Sequence, residues 1–398
     1  MTAPHARLLL LSLTLPVFTA AATDIGHITL FGQEYRVQRF DYSQDVRWPD
    51  PLDPRFNLNL IECEGAHWLG NDRLLLSTDG LDSLLSLKNA VVEVRLRRDT
   101  DGEIQGLEYV RTVVVNDPFD SAYGGFDLSP CGVTINTSAV GLAANGDLLV
   151  GDSEANGVRG YRRSDGFDLG GFSGGLANNS FDDLAFAPSN GLIYTINEDF
   201  YRLVTFRPTG EFVASTPIPG MTALNPLWIP GSPKGMAYLP DADTVPASIR
   251  RPGGVMLITL DDNNPGLQVY DLAGNVIATE PLSDNPAVGG NSLLDQGADC
   301  GNPLQLEAAA FDPVTGTIFL INEGSFFDCS GFFVLTPVGS CGCPADYNGD
   351  GGVDGSDVEA FFTQWEASEG CSDVNQDGGV DGGDVEAFFN RWEAGGCD

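Results

Sequence analysis

The chain has 398 residues, 42% of them apolar, so it is long enough to bury a sizeable core. It carries 56 acidic against 20 basic side chains, a formal net charge of −36, which argues against nucleic acid or an anionic membrane surface as a partner. Its 49 glycines and 24 prolines, with few helix-length periodic segments, favour an all-β domain.

The first 22 residues are typical of a secretory signal peptide. His5 and Arg7 precede an apolar run over residues 8–17, and three alanines at 20–22 provide a small-residue cleavage site. The run is too short to span a bilayer, and no other stretch of about 18 apolar residues occurs, so the sequence predicts no transmembrane helix. We therefore expect residues 1–22 to be removed and the mature protein to be secreted or held at the cell surface.

Residues 23–338 contain short β-strand patterns that recur in one order. A segment that opens on charged or small residues leads into a turn and then into a stronger β run that ends in an acidic or amide residue. Five such pairs begin near residues 64, 141, 183, 234 and 307, and one or two further strands follow each pair. Sets of four antiparallel strands at intervals of roughly 40–75 residues are typical of a β-propeller. The sequence thus predicts an all-β propeller of five or six blades, closed by early strands over 28–31 and 35–40, with a two-sheet sandwich as the alternative.

The predicted blades bring many polar side chains to one face. The first two strands of a blade are antiparallel, so the start of one lies beside the end of the other. The starts of the inner strands carry Glu64, Asp183, Lys234 and Glu307. The ends of the second strands carry Asp79, Asp152, Asn197, Glu198, Asp261, Asn322 and Glu323. Such a face offers oxygen ligands for a divalent cation. Turn chemistry is the alternative, because Asp and Asn commonly stand at strand ends.

The pattern resembles the propellers of the esterase-like phytase family, through the opening Glu64-Gly65 and the acidic residues that end the second strands. Residues 64–68 are also similar to the Glu-Gly-Pro-x-Trp opening of gluconolactonases, in which the Glu is a metal ligand. The chain departs from that second family at Lys234, where the family has its last metal-binding Asp, and at Asp183, where it has Asn.

The phytase-like resemblance implies calcium-assisted hydrolysis of a phosphate or other ester, with further calcium bound in the propeller. The candidate catalytic residues are then Glu64, Asp183, Lys234 and Glu307, and Lys234 would bind the substrate anion. A Ser-His-Asp mechanism fits poorly because only His27 and His67 remain after the leader. The alternative is a non-catalytic propeller that binds a glycan, a protein or a cell-surface component.

Eight cysteines in an exported chain favour disulfides over catalytic thiols. The spacing is compatible with Cys63–Cys131, Cys300–Cys329 and Cys343–Cys397 pairs, and the connectivity stays open.

The C-terminal segment contains one motif twice, at residues 346–365 and 373–392. Each copy has oxygen-bearing side chains at positions 1, 3, 5, 9 and 12 and a glycine at position 7, the ligand spacing of a 12-residue calcium loop. The predicted ligands are Asp346, Asn348, Asp350, Gly352, Asp354 and Asp357 in the first loop, and Asp373, Asn375, Asp377, Gly379, Asp381 and Asp384 in the second. The sequence predicts two Ca²⁺ sites. An acidic turn repeat that binds no ion is the alternative.

Residues 344–398 contain 14 acidic side chains and a single basic one, Arg391, so we expect calcium to be part of their fold. Six aromatic side chains recur at helical spacing and are predicted to pack the two loop–helix units together. They are Phe361, Phe362, Trp365, Phe388, Phe389 and Trp392.

The position-12 Asp, the one exiting helix per loop and the tandem arrangement resemble the dockerin modules of secreted bacterial proteins. The resemblance covers residues 344–398, after a short linker at 339–343. It implies a cohesin-like partner within a polysaccharide-degrading system. Dockerins commonly recognise cohesins through a Ser-Thr pair at loop positions 10 and 11, where this chain has Gly355-Ser356 and Gly382-Gly383. A cell-surface anchoring component is therefore the alternative partner.

Overall fold

The structure is a computed structural model. It describes residues 23–41, 47–49, 57–59, 63–78, 89–99, 104–116, 130–152, 157–173, 181–197, 201–218, 233–260, 265–282, 305–322, 331–338, 345, 347, 353–367, 372, 374 and 380–394. The predicted leader and linker lie outside these ranges.

The described strands form five blades and one small hairpin. The N-terminal strands are β1 (Thr23–Leu30), β2 (Gln33–Asp41), β3 (Arg47–Pro49) and β4 (Asn57–Asn59). Blade 1 consists of β5 (Cys63–Gly70), β6 (Arg73–Thr78), β7 (Asn89–Arg98) and β8 (Ile104–Asn116). Blade 2 consists of β9 (Pro130–Asn136), β10 (Asp147–Asp152), β11 (Gly157–Tyr161) and β12 (Asp168–Ser173). Blade 3 consists of β13 (Phe181–Ala187), β14 (Leu192–Asn197), β15 (Arg202–Phe206) and β16 (Phe212–Pro217).

Blade 4 consists of β17 (Pro233–Leu239), β18 (Val255–Leu260), β19 (Gly266–Asp271) and β20 (Val276–Pro281). Blade 5 begins with β21 (Leu306–Phe311), β22 (Ile318–Asn322) and β23 (Gly331–Pro337), and β2 and β1 complete it in the order β21-β22-β23-β2-β1. Strands from the two ends of the domain therefore close the ring, as predicted. The fold is a five-bladed β-propeller, and the sandwich alternative is wrong.

The core of the propeller lies between the blades. One cluster of buried side chains fills the gap between each neighbouring pair of blades, five clusters in all within the described residues. Strands covered on both faces are mostly apolar, as in β22, where all residues are buried and only Asn322, at the end of the strand, is polar. The outermost strand β12 is largely exposed. Each blade is thus stabilised by its two neighbours.

The second blade begins earlier than predicted. Its inner strand is β9, whereas residues 141–143 belong to the turn that joins β9 to β10. Ala143 has a φ angle of 54°, in the left-handed region that a residue with a side chain does not adopt in a β-strand. The Asn136 side chain holds this turn by donating from Nδ2 to the carbonyl oxygen of Leu142, at 2.9 Å. Ala143 is buried in the cluster between blades 2 and 3, so its apolar pattern comes from packing and not from a strand.

Two helices follow the propeller in the described residues, α1 (Gly355–Ala367) and α2 (Gly382–Ala394). The Phe361 and Phe388 rings stack with centroids 4.2 Å apart and an interplanar angle of 2°. Trp365 Nε1 donates to the carbonyl oxygen of Asp381 at 3.0 Å, and Trp392 Nε1 donates to that of Asp354 at 2.9 Å. These paired contacts confirm that the repeated aromatic residues join the two units.

Each helix begins with a capping box. In α1, Asp354 Oδ1 accepts from the Ser356 amide and Asp357 Oδ2 accepts from the Asp354 amide, both at 2.8 Å. The second repeat matches it, since Asp384 Oδ2 accepts from the Asp381 amide at 2.8 Å. Hydrogen bonds from the backbone and hydroxyl of Ser356 lower the pKa of Asp354. The carboxylates that end each predicted calcium loop therefore also fix where its helix begins.

In the part of the chain that the structure describes, no helix has the length and apolarity needed to cross a membrane.

Candidate functional site

The five inner strands begin on one face of the propeller, here called the start face, and end on the other, the cavity face. On the start face, Phe181 pairs with Asn197 and Leu306 pairs with Asn322. The predicted convergence of inner-strand starts and second-strand ends is confirmed at these blades. Asp79, Glu198, Asp261 and Glu323 lie outside the described residues, and Asp152 is described only as part of β10.

Every inner strand has a β-bulge where it enters the sheet. The register of all five shifts by one residue against the second strand. The residues at these bulges include Glu64, Cys131, Asp183, Lys234 and Glu307. A bulge re-aims the side chain of the extra residue. Glu64, Lys234 and Glu307 thus occupy equivalent positions in three blades, and Cys131, which was not predicted as a site residue, occupies the same position in blade 2. Asp183 lies one residue further along its strand, at the position that Gly65, Gly132, Gly235 and Ala308 hold in the other blades.

Asp183 joins blade 3 to blade 4. Its side chain is 1% exposed, its Oδ1 accepts from the Leu184 amide at 2.7 Å, and its Oδ2 accepts from the Met236 amide of β17 at 2.6 Å. Gly132 of β9 lies so close to Asp183 that a Cβ at Gly132 would clash with it. Both oxygens of this carboxylate are therefore engaged by backbone, in the narrowest part of the ring.

Lys234 and Glu307 join blade 4 to blade 5. Lys234 Nζ lies 3.8 Å from Glu307 Oε2, and Glu307 is 6% exposed. Beneath this pair, the buried Thr259 Oγ1 accepts from the Gly235 amide at 2.7 Å and donates to the Leu306 carbonyl oxygen at 2.6 Å. The lysine therefore compensates a buried carboxylate between blades.

Glu64 is half-buried at the equivalent position of blade 1. Cys63 and Cys131 are buried thiols, so the pairing considered for them is not formed, and the Cys131 sulfhydryl donates to the Phe181 carbonyl oxygen. The other cysteine pairs lie outside the described residues. Within the described ranges, no three His, Cys, Asp or Glu side chains are arranged to hold a metal ion.

A cavity of about 470 Å³ opens on the cavity face, where all five inner strands end. Four aromatic side chains contribute to its wall, Trp68, Phe186, Tyr238 and Phe311. Small residues between them, including Ala66, Ala237 and Ala309, leave the space open. Among the described residues, no Asp, Glu, Lys or Arg lines it, and the polar side chains that do are those of His67, Thr134, Thr137 and Tyr238.

This cavity was not predicted from the sequence. The sequence pattern that could have predicted it is an aromatic residue four positions after the charged residue that begins an inner strand. The pattern occurs in three strands, at Trp68, Tyr238 and Phe311. The charged residues at the starts of these strands predicted a site on the opposite face. The aromatic ends of the same segments line the cavity.

His67 lies at the cavity and has a shifted pKa. Its Nδ1 lies 3.3 Å from Thr134 Oγ1, which also accepts from the Phe186 amide at 3.2 Å. Burial, and to a smaller extent the nearby charge of Arg163, lower the pKa of His67 to about 4. The imidazole is therefore neutral at neutral pH.

Comparisons with known proteins show similarity of structure only. No family model matches the chain, and no curated protein matches it. Among solved structures, it is similar to a glutaminyl cyclase from Myxococcus xanthus, with 13% identity over 75% of this chain and 97% of that one and a TM-score of 0.41. It is also similar to a streptogramin B lyase, with 9% identity over 76% of this chain and 98% of that one and a TM-score of 0.40.

A third similar structure is an auxiliary nutrient binding protein from Bacteroides thetaiotaomicron, with 11% identity over 80% of this chain and 69% of that one and a TM-score of 0.39. At these values the similarities say nothing about what this chain binds.

Replacing Asp183 with Asn should destabilise the propeller. The amide keeps the size of the carboxylate but turns an NH₂ group towards one of the two backbone amides that now donate to it. We expect the free energy of unfolding in urea to fall by about 2–3 kcal/mol. Asp72→Asn is the matched control, because Asp72 pairs with Arg98 at a half-exposed site, and it should cost less than about 1 kcal/mol. Equal, small losses in both variants would show that Asp183 does not hold the blades together.

His67 should make the propeller less stable in mild acid. Its folded pKa of about 4 lies below the unfolded value near 6.5, so the unfolded chain binds more protons between these values. Its contribution to stability is complete above about pH 6.5 and is lost as the pH falls towards 4. Between pH 7 and pH 5 the free energy of unfolding should drop by about 2 kcal/mol more in the wild type than in His67→Gln. Identical pH dependence in urea titrations of the two proteins would contradict this.

Proposed function

We propose that the chain is an exported binding protein, in which a five-bladed propeller holds a small molecule in its central cavity and a dockerin-like calcium module anchors it. The cavity is the observation that carries this proposal. It is concave, largely apolar and formed by all five inner strands, and it contains a few polar groups with a pKa-shifted histidine among them. These are the general properties of small-molecule sites in proteins.

The start face supports hydrolysis less well. Calcium-assisted ester or phosphate hydrolysis would use Glu64, Asp183, Lys234 and Glu307 there. Asp183 already accepts two backbone hydrogen bonds, and Lys234 lies against Glu307 between two blades. These contacts favour a role in holding the ring together, so we assign ligand binding to the cavity face.

The C-terminal module fits calcium by the chemistry of its donors. Of the predicted ligands, Asp354, Asp357, Asp381 and Asp384 are described, and the other eight lie outside the described residues. Asp357 and Asp384, at position 12 of each loop, are 0% exposed. Buried carboxylates in a segment with 14 acidic groups and one basic group suit a hard cation held by oxygen atoms. Bound calcium would supply the positive charge that this segment lacks.

Anchoring through this module is part of the same proposal. The partner would be a cohesin-like domain or another cell-surface component, as the dockerin resemblance implies. Ser356, at loop position 11, is exposed and lies in the first turn of α1, where a partner can reach it.

Full-length protein stripped with a chelator should bind two calcium ions per chain in isothermal titration. Asp357→Asn and Asp384→Asn should each weaken one site by at least about tenfold, because each removes a charged ligand at position 12. Glu359→Gln and Glu386→Gln are matched controls, since both remove a charge from the exposed side of the same helices. Absence of calcium binding, or a single site in the wild type, would overturn the calcium assignment.

The cavity should bind N-phenyl-1-naphthylamine, its sulfonated analogue 1-anilinonaphthalene-8-sulfonate, or both, at one site per chain, measured by fluorescence. Thr137→Trp should abolish this binding, because Thr137 lines the cavity and is itself exposed, so a large side chain there blocks the mouth. Val140→Trp is the control, since Val140 is 64% exposed in the same turn but does not line the cavity.

Equal binding in both variants, or no binding of either probe to the wild type, would refute a cavity ligand. Calcium-dependent turnover of phytate or an aryl ester that is lost in a Glu64→Gln/Glu307→Gln variant would instead place an enzymatic function on the start face.

A further inference from the structure

We infer that the cavity selects an uncharged, planar aromatic molecule of about two rings that carries one hydrogen-bond acceptor. This inference rests on the proposed binding function and names its ligand class. Four properties of the cavity lead to it: its volume, its aromatic wall, the absence of charged side chains from its described lining, and a hydrogen-bond donor at His67.

The volume sets the size of the ligand. The cavity measures about 470 Å³. A dry cavity of roughly 150 Å³ is enough for benzene, so this one has room for two fused rings with a short substituent. A long flexible chain would lose more conformational entropy on entering than a rigid ring system of the same size.

The wall favours a flat ring. Trp68 is held in place by stacking on Phe319, with centroids 5.1 Å apart and an interplanar angle of 20°. Tyr238 turns its hydroxyl away, donating to the Gly253 carbonyl oxygen at 2.9 Å, and so contributes its ring. Phe186 and Phe311 are both almost fully buried. Rings fixed in this way offer faces and edges that an aromatic ligand matches better than an aliphatic one.

The lining disfavours an ionised ligand. Where the structure describes the lining, it includes no carboxylate, lysine or arginine. His67 is neutral at neutral pH because burial lowers its pKa. A charged group drawn into the cavity would lose its hydration without contacting an opposite charge in the described lining, and Arg163, whose charge acts on His67, is not among the lining residues. The chemistry of the lining therefore selects against carboxylates, phosphates and ammonium groups.

The donor comes from a short hydrogen-bond relay. The Phe186 amide donates to Thr134 Oγ1, and His67 Nδ1 lies 3.3 Å from the same oxygen. We assign the tautomer in which the Thr134 hydroxyl donates to Nδ1. With Nδ1 accepting, the neutral ring carries its proton on Nε2. His67 thus offers one N–H donor from a ring that lines the cavity. A carbonyl, ether or ring-nitrogen acceptor on the ligand satisfies it.

Three naphthalenes of matched shape test this class by displacement of N-phenyl-1-naphthylamine from the full-length protein. 2-Acetylnaphthalene is neutral and carries an acceptor, 2-naphthoate is its anionic counterpart, and 2-isopropylnaphthalene lacks the acceptor. We expect 2-acetylnaphthalene to displace the probe at a concentration at least about tenfold below that of 2-naphthoate and about fivefold below that of 2-isopropylnaphthalene.

His67→Phe separates the donor from the apolar wall. This variant should abolish the difference between the acetyl and isopropyl compounds and keep the difference between the acetyl compound and the carboxylate. Circular dichroism checks that it remains folded, and Thr137→Trp again serves as the blocked control. Equal displacement by 2-naphthoate would overturn the neutral class, and equal displacement by 2-isopropylnaphthalene in the wild type would overturn the acceptor. In both cases the proposed binding function stands if the wild type binds the probe and Thr137→Trp abolishes that binding. It fails if the wild type has no probe site that Thr137→Trp abolishes.

Discussion

The fold depends on how closely the five inner strands approach one another on the start face. Gly65 faces Gly132, Gly132 faces Asp183, and Gly235 faces Ala308, each at a distance that leaves no room for a further Cβ. Because neighbouring backbones nearly touch, polar groups there must find partners across blades. Asp183 does so with the Met236 amide, and Thr259 does so with the Leu306 carbonyl oxygen. The ring is therefore held by hydrogen bonds at its narrow end and by apolar packing further out.

This constraint also explains why the cavity lies on the other face. The bulges and glycines that bring the strands together occur at the starts of the inner strands, and aromatic residues occur towards their ends. Side chains as large as Trp68 and Phe311 need space around the axis, and the alanines beside them leave it open. The same five segments thus form a closed polar end and an open apolar end, which separates the part of the propeller that stabilises it from the part that is free to bind.

Much of the propeller fold could be predicted from the sequence, and the predictions that were wrong have physical causes. The alternation of charged starts and acidic or amide ends predicted the blades, the shared face and the closing strands, because these follow from strand period and turn chemistry. The inner strand of blade 2 was misplaced because the turn residues Leu142 and Ala143 pack against blade 3 and imitate a strand. The role of Asp183 was not accessible, since its partner Met236 lies 53 positions away and is brought close only by the ring. Two carboxylates that were predicted to be catalytic, Asp183 and Glu307, instead make contacts between blades.

The closure of blade 5 has a consequence for how the chain folds. Strand β2 pairs with β23, and the Gln33 side chain donates to the Val338 carbonyl oxygen, 305 positions along the chain. The last blade lacks its outer strands until both ends of the domain have come together, so the most non-local pairing is also the one that completes the ring. Such high contact order makes folding slow, and it leaves the edge of β23 exposed until β2 arrives. A propeller of this design is consequently at its most aggregation-prone just before the ring closes. Cleavage of the chain within the N-terminal β1–β2 hairpin would expose a strand edge of blade 5 again, in addition to shortening the chain.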